Sequence, residues 1–188
     1  GRGIAHGLDV ERLRKQIAEV SAFNERLSGI HVFTGIEVDI RADGSLDLPH
    51  EILSQLDIVI AAVHSAMNQS EEKMTKRVLN AIENPDVDII AHPSCRLLGE
   101  REPIAVDLEA VFHAAAKNNK IMEINAMPDR LDLNDIHAFR ARDLGVKLAI
   151  DTDAHGTAHL GFMRFGVGVA RRAWCEPQDI LNTLPLEG

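Results

Sequence analysis

Three histidines and two carboxylates lie at or just after the ends of apolar runs, and these residue types are common metal ligands. The residues are Glu37, His64, His92, Asp153 and His155. Imidazole and carboxylate groups without a thiolate suit Zn, Mn or Fe. A single histidine after a strand is usually a hydrogen-bonded loop or core residue, but three in the same local context, accompanied by two acids, favour a cluster. The sequence therefore predicts a site for divalent metal ions.

Metal ions bound in this way hydrolyse esters. They lower the pKa of a bound water, hold the attacking and leaving oxygens and neutralise charge on phosphorus, so we expect no catalytic group beyond metal-activated water. The residues alone leave phosphoester and amide hydrolysis both open. Arg96 and Arg130, in loops on the ligand-bearing side, favour phosphate, because arginine binds phosphate oxygens through two parallel hydrogen bonds. Asn125, at the end of a predicted strand, is either a hydrogen-bond partner of that strand end or a substrate contact.

A second hydrolytic mechanism is suggested by the C-x5-R spacing of Cys95 and Arg101. In cysteine phosphatases a thiolate attacks phosphorus from such a loop, and the arginine binds the phosphoryl oxygens. Pro103 interrupts the helix that should follow the loop and bind the phosphate at its N-terminus. We therefore interpret Cys95 as a small buried thiol.

The elements that must position these side chains alternate between strands and helices. Apolar and β-branched runs predict strands over residues 30–40, 57–63, 87–91, 120–125 and 146–152. N-cap residues and apolar spacing of three and four predict helices over residues 9–28, 70–83, 106–118 and 134–144. This alternation predicts an α/β fold with a parallel sheet or barrel. The candidate ligands recur about every 30 residues, roughly one βα unit, and the carboxyl ends of barrel strands meet at one face.

Length and composition limit the possible function classes. The chain has 188 residues, which suits one hydrophobic core, and we expect a single domain over residues 1–188. Its 20 basic and 29 acidic residues give a net charge of −9, so any contact with DNA must be local or helped by metal ions or another domain. No apolar run is long enough for a membrane span, and we expect no membrane partner. Two cysteines are too few for a disulfide framework, which favours a cytoplasmic location.

Seven segments spread over the chain resemble one known family: GIEVDI, LDIVIAAVHSAMNQS, AHPSCRLLGEREP, EINAMPDRLDLND, LGVKLAIDTDAH, GVGVARRAW and ILNTLPL. They look like the PHP (polymerase and histidinol phosphatase) domain, and most of all like the one at the C-terminus of bacterial and archaeal family X DNA polymerases. The resemblance implies a distorted (β/α)7 barrel with up to three divalent metal ions, Mn or Zn and also Fe. It further implies a Mn-favoured 3′–5′ exonuclease that acts on DNA 3′ ends, with a polymerase domain in the same chain.

The resemblance also implies a role for each candidate ligand. Glu37 matches a carboxylate that bridges two metal ions, and His64 and His92 match the remaining ligands of one of them. Asp153 matches a ligand of the second ion and His155 a ligand of the third. The family begins with H-x-H and T-D-H motifs, and neither occurs in the first residues of this chain. We therefore expect a barrel that is incomplete at its N-terminus, either a trimmed piece of a longer protein or a self-associating one, with ligands of two ions missing.

Two other functions remain open from the sequence. One is a small-molecule phosphatase of the histidinol-phosphatase type, which the resemblance includes. The other is a non-catalytic metal-binding module that supports a polymerase, which the missing motifs favour. Activity of the 188-residue piece alone is expected to be much lower than that of a protein with the missing ligands.

Overall fold

One parallel sheet organises the protein in the computed structural model, which describes residues 8–186. Its five strands are β1 (Gly35–Asp39), β2 (Ile58–Ala62), β3 (Ile89–Ile90), β4 (Ile121–Asn125) and β5 (Leu148–Asp151). The order along the sheet is the order along the chain, and every neighbouring pair is parallel. The α helices are α1 (Val10–Asn24), α2 (His50–Leu53), α3 (Glu71–Glu83), α4 (Leu108–Lys117), α5 (Asp135–Asp143) and α6 (Met163–Arg172). The predicted α/β fold with a parallel sheet is confirmed.

Polar caps start four of the helices where the sequence predicts them. The side chains of Asp9, Ser70, Asp107 and Asn134 each accept a hydrogen bond from the backbone N–H three residues later. Each bond satisfies one of the N–H groups that a first helical turn leaves without a partner. Between residues 8 and 186, none of the helices is both long and apolar enough to cross a bilayer.

Several predicted boundaries differ from the observed ones. The first strand begins only at Gly35, because residues 31–34 do not pair with β2 as a regular ladder. The third strand has two residues, although the backbone N–H groups of Asp88 and Ala91 still donate to β2 carbonyls at 2.9 Å. Helix α6 was not predicted, since its two glycines lower helix propensity.

The strand order is the one expected for the wall of a β/α barrel. Connections between parallel strands are right-handed, and the order never reverses, so successive helices pack on the same face. That face carries buried apolar residues such as Val38, Val59 and Ile124. Because side chains alternate between faces along a strand, Glu37 and Ile60, which lie opposite each other in β1 and β2, point to the inner face, away from the helices. In a doubly wound sheet, by contrast, helices would cover both faces.

Helix α6 lies unusually close to the sheet at Gly166. A Cβ atom at this position would lie 2.4 Å from Cγ2 of Ile150 and 2.9 Å from Cβ of Ala126. Gly168, in the same helix, has open space where its Cβ would be. The two glycines of one helix therefore have different roles: the first permits close packing, and the second leaves the helix without a packing constraint.

We expect Gly166→Ala to destabilise the protein by about 1–3 kcal/mol, the usual penalty for forcing an extra methyl group into a filled core. The matched control, Gly168→Ala, should stabilise it by up to about 1 kcal/mol through helix propensity. Denaturant unfolding of the two variants measures both effects. Equal effects of the same sign would show that α6 does not pack as described.

Candidate metal centre

Three of the five predicted ligands come together at the carboxyl ends of β1, β2 and β3. Glu37 lies within β1, His64 follows β2 by two residues and His92 follows β3 by two residues. One ligand atom from each lies within 4.8 Å of the others. The Oε1 atom of Glu37 is 3.4 Å from Nε2 of His64 and 3.1 Å from Nε2 of His92. The two imidazole rings meet edge to face, with centroids 5.2 Å apart.

The protonation preferences of this cluster follow from its contacts. Burial raises the pKa of Glu37, but hydrogen bonds and attraction from both imidazoles outweigh it and lower the pKa well below the usual range. Burial lowers the pKa of His64, but its contacts with Glu37 and Asp39 outweigh that effect and raise it. Glu37 is thus ionised at neutral pH, as a metal ligand must be, and a cation arriving at the cluster would displace any proton held by His64.

Asp39 orients His64, and the sequence reasoning missed it. Its Oδ1 atom lies 2.5 Å from Nδ1 of His64. A carboxylate on one ring nitrogen directs the other nitrogen toward the ligand position and makes it more basic. The signal was present in the sequence, because Asp39 follows Glu37 by two positions and strand residues two apart share a face.

His92 is held by its backbone and has one unpaired ring nitrogen. Its N–H donates to a carboxyl oxygen of Glu123, and its backbone φ is 28°, an uncommon conformation for a residue with a side chain. The ring is buried, and Nδ1 has no hydrogen-bond partner. Buried polar atoms without partners are rare and often mark functional positions. Two imidazoles and one carboxylate form a donor set that fits Zn, Mn or Fe and leaves coordination positions open.

Asp153 lies beside this cluster. It lines the same cavity as Glu37, a cleft of about 280 Å³ that also contains Glu123 and Asp151. Asn125 donates to Oδ2 of Asp153 at 3.2 Å, and Nε of Arg130 lies 3.5 Å from the same oxygen. The cleft therefore has carboxylates on opposite walls, from β1 on one side and from β4, β5 and the loop after β5 on the other.

His155 is not brought into the cluster. Its side chain is 69% exposed, and Nδ1 lies 2.7 Å from the backbone carbonyl of Asp153. Its backbone N–H is 3.2 Å from Nδ1 of His159, in the 3-10 turn Thr157–Phe162. His155 as a metal ligand stays a prediction.

The three predicted substrate contacts differ in what they already bind. Asn125 is fully buried, and its Oδ1 accepts the N–H of Met127 at 3.0 Å, so the geometry supports the strand-end alternative. Nε of Arg96 donates to the carbonyl of Arg130 at 2.9 Å, and Nη2 donates to the carbonyl of Leu131. Arg96 thus ties the β3–α4 loop to the β4–α5 loop. Arg130 has a buried Nη1 without a partner. All three remain predictions as substrate contacts.

Cys95 has the environment of a structural thiol. Cys95 is 1% exposed, and its Sγ contacts the carbonyl of Val63 at 3.4 Å. Nε of Arg101 donates to the backbone carbonyl of Cys95 at 2.9 Å. Burial, with a smaller effect of the Asp132 carboxylate, raises the pKa of the thiol to about 12. Because the thiolate is the nucleophilic form, the interpretation as a buried thiol is confirmed.

Glu123 and Asp151 form a buried carboxyl pair that the sequence reasoning also missed. Burial first, and then the charge and hydrogen bond of Asp151, raise the pKa of Glu123 well above its ordinary value. Burial also raises the pKa of Asp151, while the hydrogen bond from Glu123 acts in the opposite direction. The shared proton therefore belongs mainly to Glu123.

This proton gives a pH dependence that can be measured on protein kept in chelator. Unfolded Glu123 ionises near its ordinary value of 4.5, whereas the folded protein keeps the proton to higher pH, so stability falls as pH rises above 4.5. The loss is about 1.4 kcal/mol for each unit by which the pKa is raised. Glu123→Gln imitates the protonated acid, so its free energy of unfolding should increase relative to that of the wild type as the pH rises. Glu19→Gln, at an exposed position, should show no such increase. Parallel curves for wild type and Glu123→Gln in denaturant titrations would contradict this assignment.

The chain is similar in sequence to proteins of two kinds. No protein-family model matches it. It is 42% identical over 184 residues to the DNA polymerase/3′-5′ exonuclease PolX of Bacillus subtilis, which covers 98% of this chain and 32% of that protein. It is 36% identical over 170 residues to a probable phosphatase of Thermoanaerobacter sp., and this match covers 85% of this chain and 66% of that protein. The chain thus spans about a third of the first relative and just under two thirds of the second.

A solved structure shares the fold. The histidinol phosphate phosphatase of Lactococcus lactis, determined with zinc, L-histidinol and phosphate, superposes with a TM-score of 0.56. The match covers 90% of this chain and 76% of that one at 14% identity. At this identity the match concerns the fold alone, and it supports the expected distorted barrel. The identities of 42% and 36% to the polymerase and phosphatase relatives, over 98% and 85% of this chain, bear out the resemblance to the PHP (polymerase and histidinol phosphatase) domain.

Proposed function

We propose that the chain is the metal-dependent phosphoesterase part of a longer protein. The observation that carries the proposal is the cluster of Glu37, His64 and His92, whose ligand atoms lie within 4.8 Å of one another. These three side chains would hold one divalent ion. When bound, the ion supplies Lewis-acid activation of water and of a phosphoryl oxygen. Asp153, across the cleft from Glu37, and His155 are proposed as ligands of further ions.

The other side chains would orient the ligands and the phosphate. Asp39 accepts the Nδ1 proton of His64 and keeps its Nε2 toward Glu37. Arg130 has a buried nitrogen without a partner beside Asp153, so it is the best placed cation for a phosphate oxygen. Arg96 would act chiefly by fixing the Arg130 loop, because two of its nitrogens already donate to carbonyls there. Asn125 would hold Asp153 in place and contact substrate only if that bond opened.

The substrate that we propose is the 3′ end of DNA, cleaved in the 3′–5′ direction. The support is the identity of 42% across nearly the whole chain to the Bacillus subtilis polymerase and exonuclease. A polymerase domain in the same protein would then supply much of the affinity for DNA, since a net charge of −9 opposes binding of a polyanion. We also propose a cytoplasmic setting, which two free cysteines support.

A small phosphomonoester is the second candidate substrate. It is favoured by the match to probable phosphatases and by the fold shared with a histidinol phosphate phosphatase. In that case the cleft beside Glu37 would receive a terminal phosphate rather than a diester. The two candidates use the same metal-binding residues and differ in what lies beyond the phosphate.

The metal site can be tested by binding alone. Tag-free protein should bind about one Mn²⁺ or Zn²⁺ ion through the three side chains of the cluster. His64→Ala should weaken binding on the order of 100-fold, because it removes one ligand, the imidazole that Asp39 orients. His113→Ala, an exposed histidine of α4, is the matched control and should bind as wild type does. Calorimetric titration measures both. Unchanged binding in a variant with all three ligands replaced by alanine would refute the site.

The reaction can be tested on the longer protein with matched substrates. We expect Mn²⁺-dependent release of nucleotides from the 3′ end of a DNA oligonucleotide and little hydrolysis of histidinol phosphate. A chelator should abolish the activity. Arg130→Ala should reduce turnover by a factor on the order of 10²–10³ if the guanidinium stabilises charge in the transition state. Arg140→Ala, which removes an exposed ion pair with Glu109, should leave turnover unchanged. Faster hydrolysis of histidinol phosphate than of DNA would favour the second candidate.

A further inference from the structure

An arginine occupies the core-facing side of helix α3. Arg77 is 1% exposed and shares the buried face of α3 with Met74, Val78, Ala81 and Ile82. A charged side chain in such a position is costly unless its donors are satisfied, and an aliphatic residue of similar size would pack there at lower cost. Its presence therefore needs an explanation beyond packing.

The donors of Arg77 connect two separate backbone segments. Nε and Nη2 both donate to the carbonyl of Ile40, with Nε at 3.1 Å. Nη1 donates to the carbonyls of Ser65 at 3.0 Å and Ala66 at 3.3 Å, and it lies 3.5 Å from Oε1 of Gln69. One guanidinium thus bridges the end of β1 to the loop that follows β2.

These two segments carry the candidate metal ligands. Ile40 directly follows Asp39, the partner of His64, and lies three residues after Glu37. Ser65 directly follows His64, and Ala66 has a φ of 49°, a left-handed conformation that a residue with a side chain rarely adopts. A hydrogen bond to the Ala66 carbonyl helps to hold this turn, and the turn sets the direction in which His64 leaves its strand.

We propose that Arg77 is a positioning residue of the metal centre, which fixes the separation between the Glu37 and Asp39 segment and the His64 segment. The inference rests on the proposed metal-binding function. It requires arginine in particular, because the planar guanidinium can donate to both segments at once, whereas the lysine ammonium is a single point charge on a flexible stem. Arg77 is outside the Glu37, His64 and His92 cluster, and its donors go to backbone carbonyls, so its effect is transmitted through the two backbone segments.

The test separates positioning from simple stabilisation. Arg77→Met replaces the charged group by an apolar one. Arg77→Lys keeps the charge but loses the planar guanidinium that donates to both segments. Ile82→Ala is the matched control, because it removes buried volume from the same helix face and should lower the melting temperature without touching either loop. The melting temperature of each protein is measured first. The Mn²⁺ dissociation constant and the visible spectrum of the Co²⁺-loaded form are then measured well below that temperature.

We expect Arg77→Met to weaken Mn²⁺ binding about 10–100-fold and to alter the Co²⁺ spectrum, in the range found when residues that orient metal ligands are removed. Arg77→Lys should lie between this variant and wild type, and it carries the test if Arg77→Met does not fold. Ile82→Ala should lower the melting temperature with wild-type affinity and spectrum. Wild-type affinity in both Arg77 variants, or an equal loss in Ile82→Ala, would overturn the inference and leave the proposed function intact. Failure of wild-type protein to bind Mn²⁺, Zn²⁺ or Co²⁺ would overturn both.

Discussion

The contact of Glu37 with two imidazoles is the interaction on which the site depends. It exists because three neighbouring parallel strands end at the same edge of the sheet, and the β1–β2 register places Glu37 opposite Ile60, four residues before His64. A shift of one residue in β1 would turn Glu37 toward the helices, since strand side chains alternate between faces. The buried apolar residues of the outer face oppose that shift, so the hydrophobic core also sets the position of the ligands.

Charged groups that would be unstable if isolated lie on both sides of the sheet, with Glu37 and Glu123 on the face opposite the helices and Arg77 on helix α3. The protein compensates each of them locally: Glu37 by two imidazoles, Glu123 by retaining a proton beside Asp151, and Arg77 by backbone carbonyls. The first arrangement favours the arrival of a cation. The second limits the negative charge on the far wall of the cleft, and the third holds together the segments that carry the ligands. Structural and functional roles of these charges are therefore difficult to separate by single substitutions without matched controls.

Much of this arrangement could be predicted from sequence, and the failures have physical reasons. Strand ends and helix caps have local signals, so the positions of His64 and His92 after their strands, and the cap at Asp9, were predicted correctly. Asp39 and Arg77 were missed because their importance depends on which segments lie beside them in space. The left-handed backbone at His92 and the carbonyl contacts of Arg96 are likewise tertiary features that residue types and spacing do not reveal.

Anomalous diffraction from crystals of this protein soaked in Mn²⁺ tests the central claim most directly, because it locates the ion without reference to activity. The account predicts an anomalous peak at the manganese edge within coordination distance of Glu37, His64 and His92, with the Asp39 carboxylate still on Nδ1 of His64. A fully occupied peak elsewhere with none between these three residues, or no peak at saturating Mn²⁺, would contradict it.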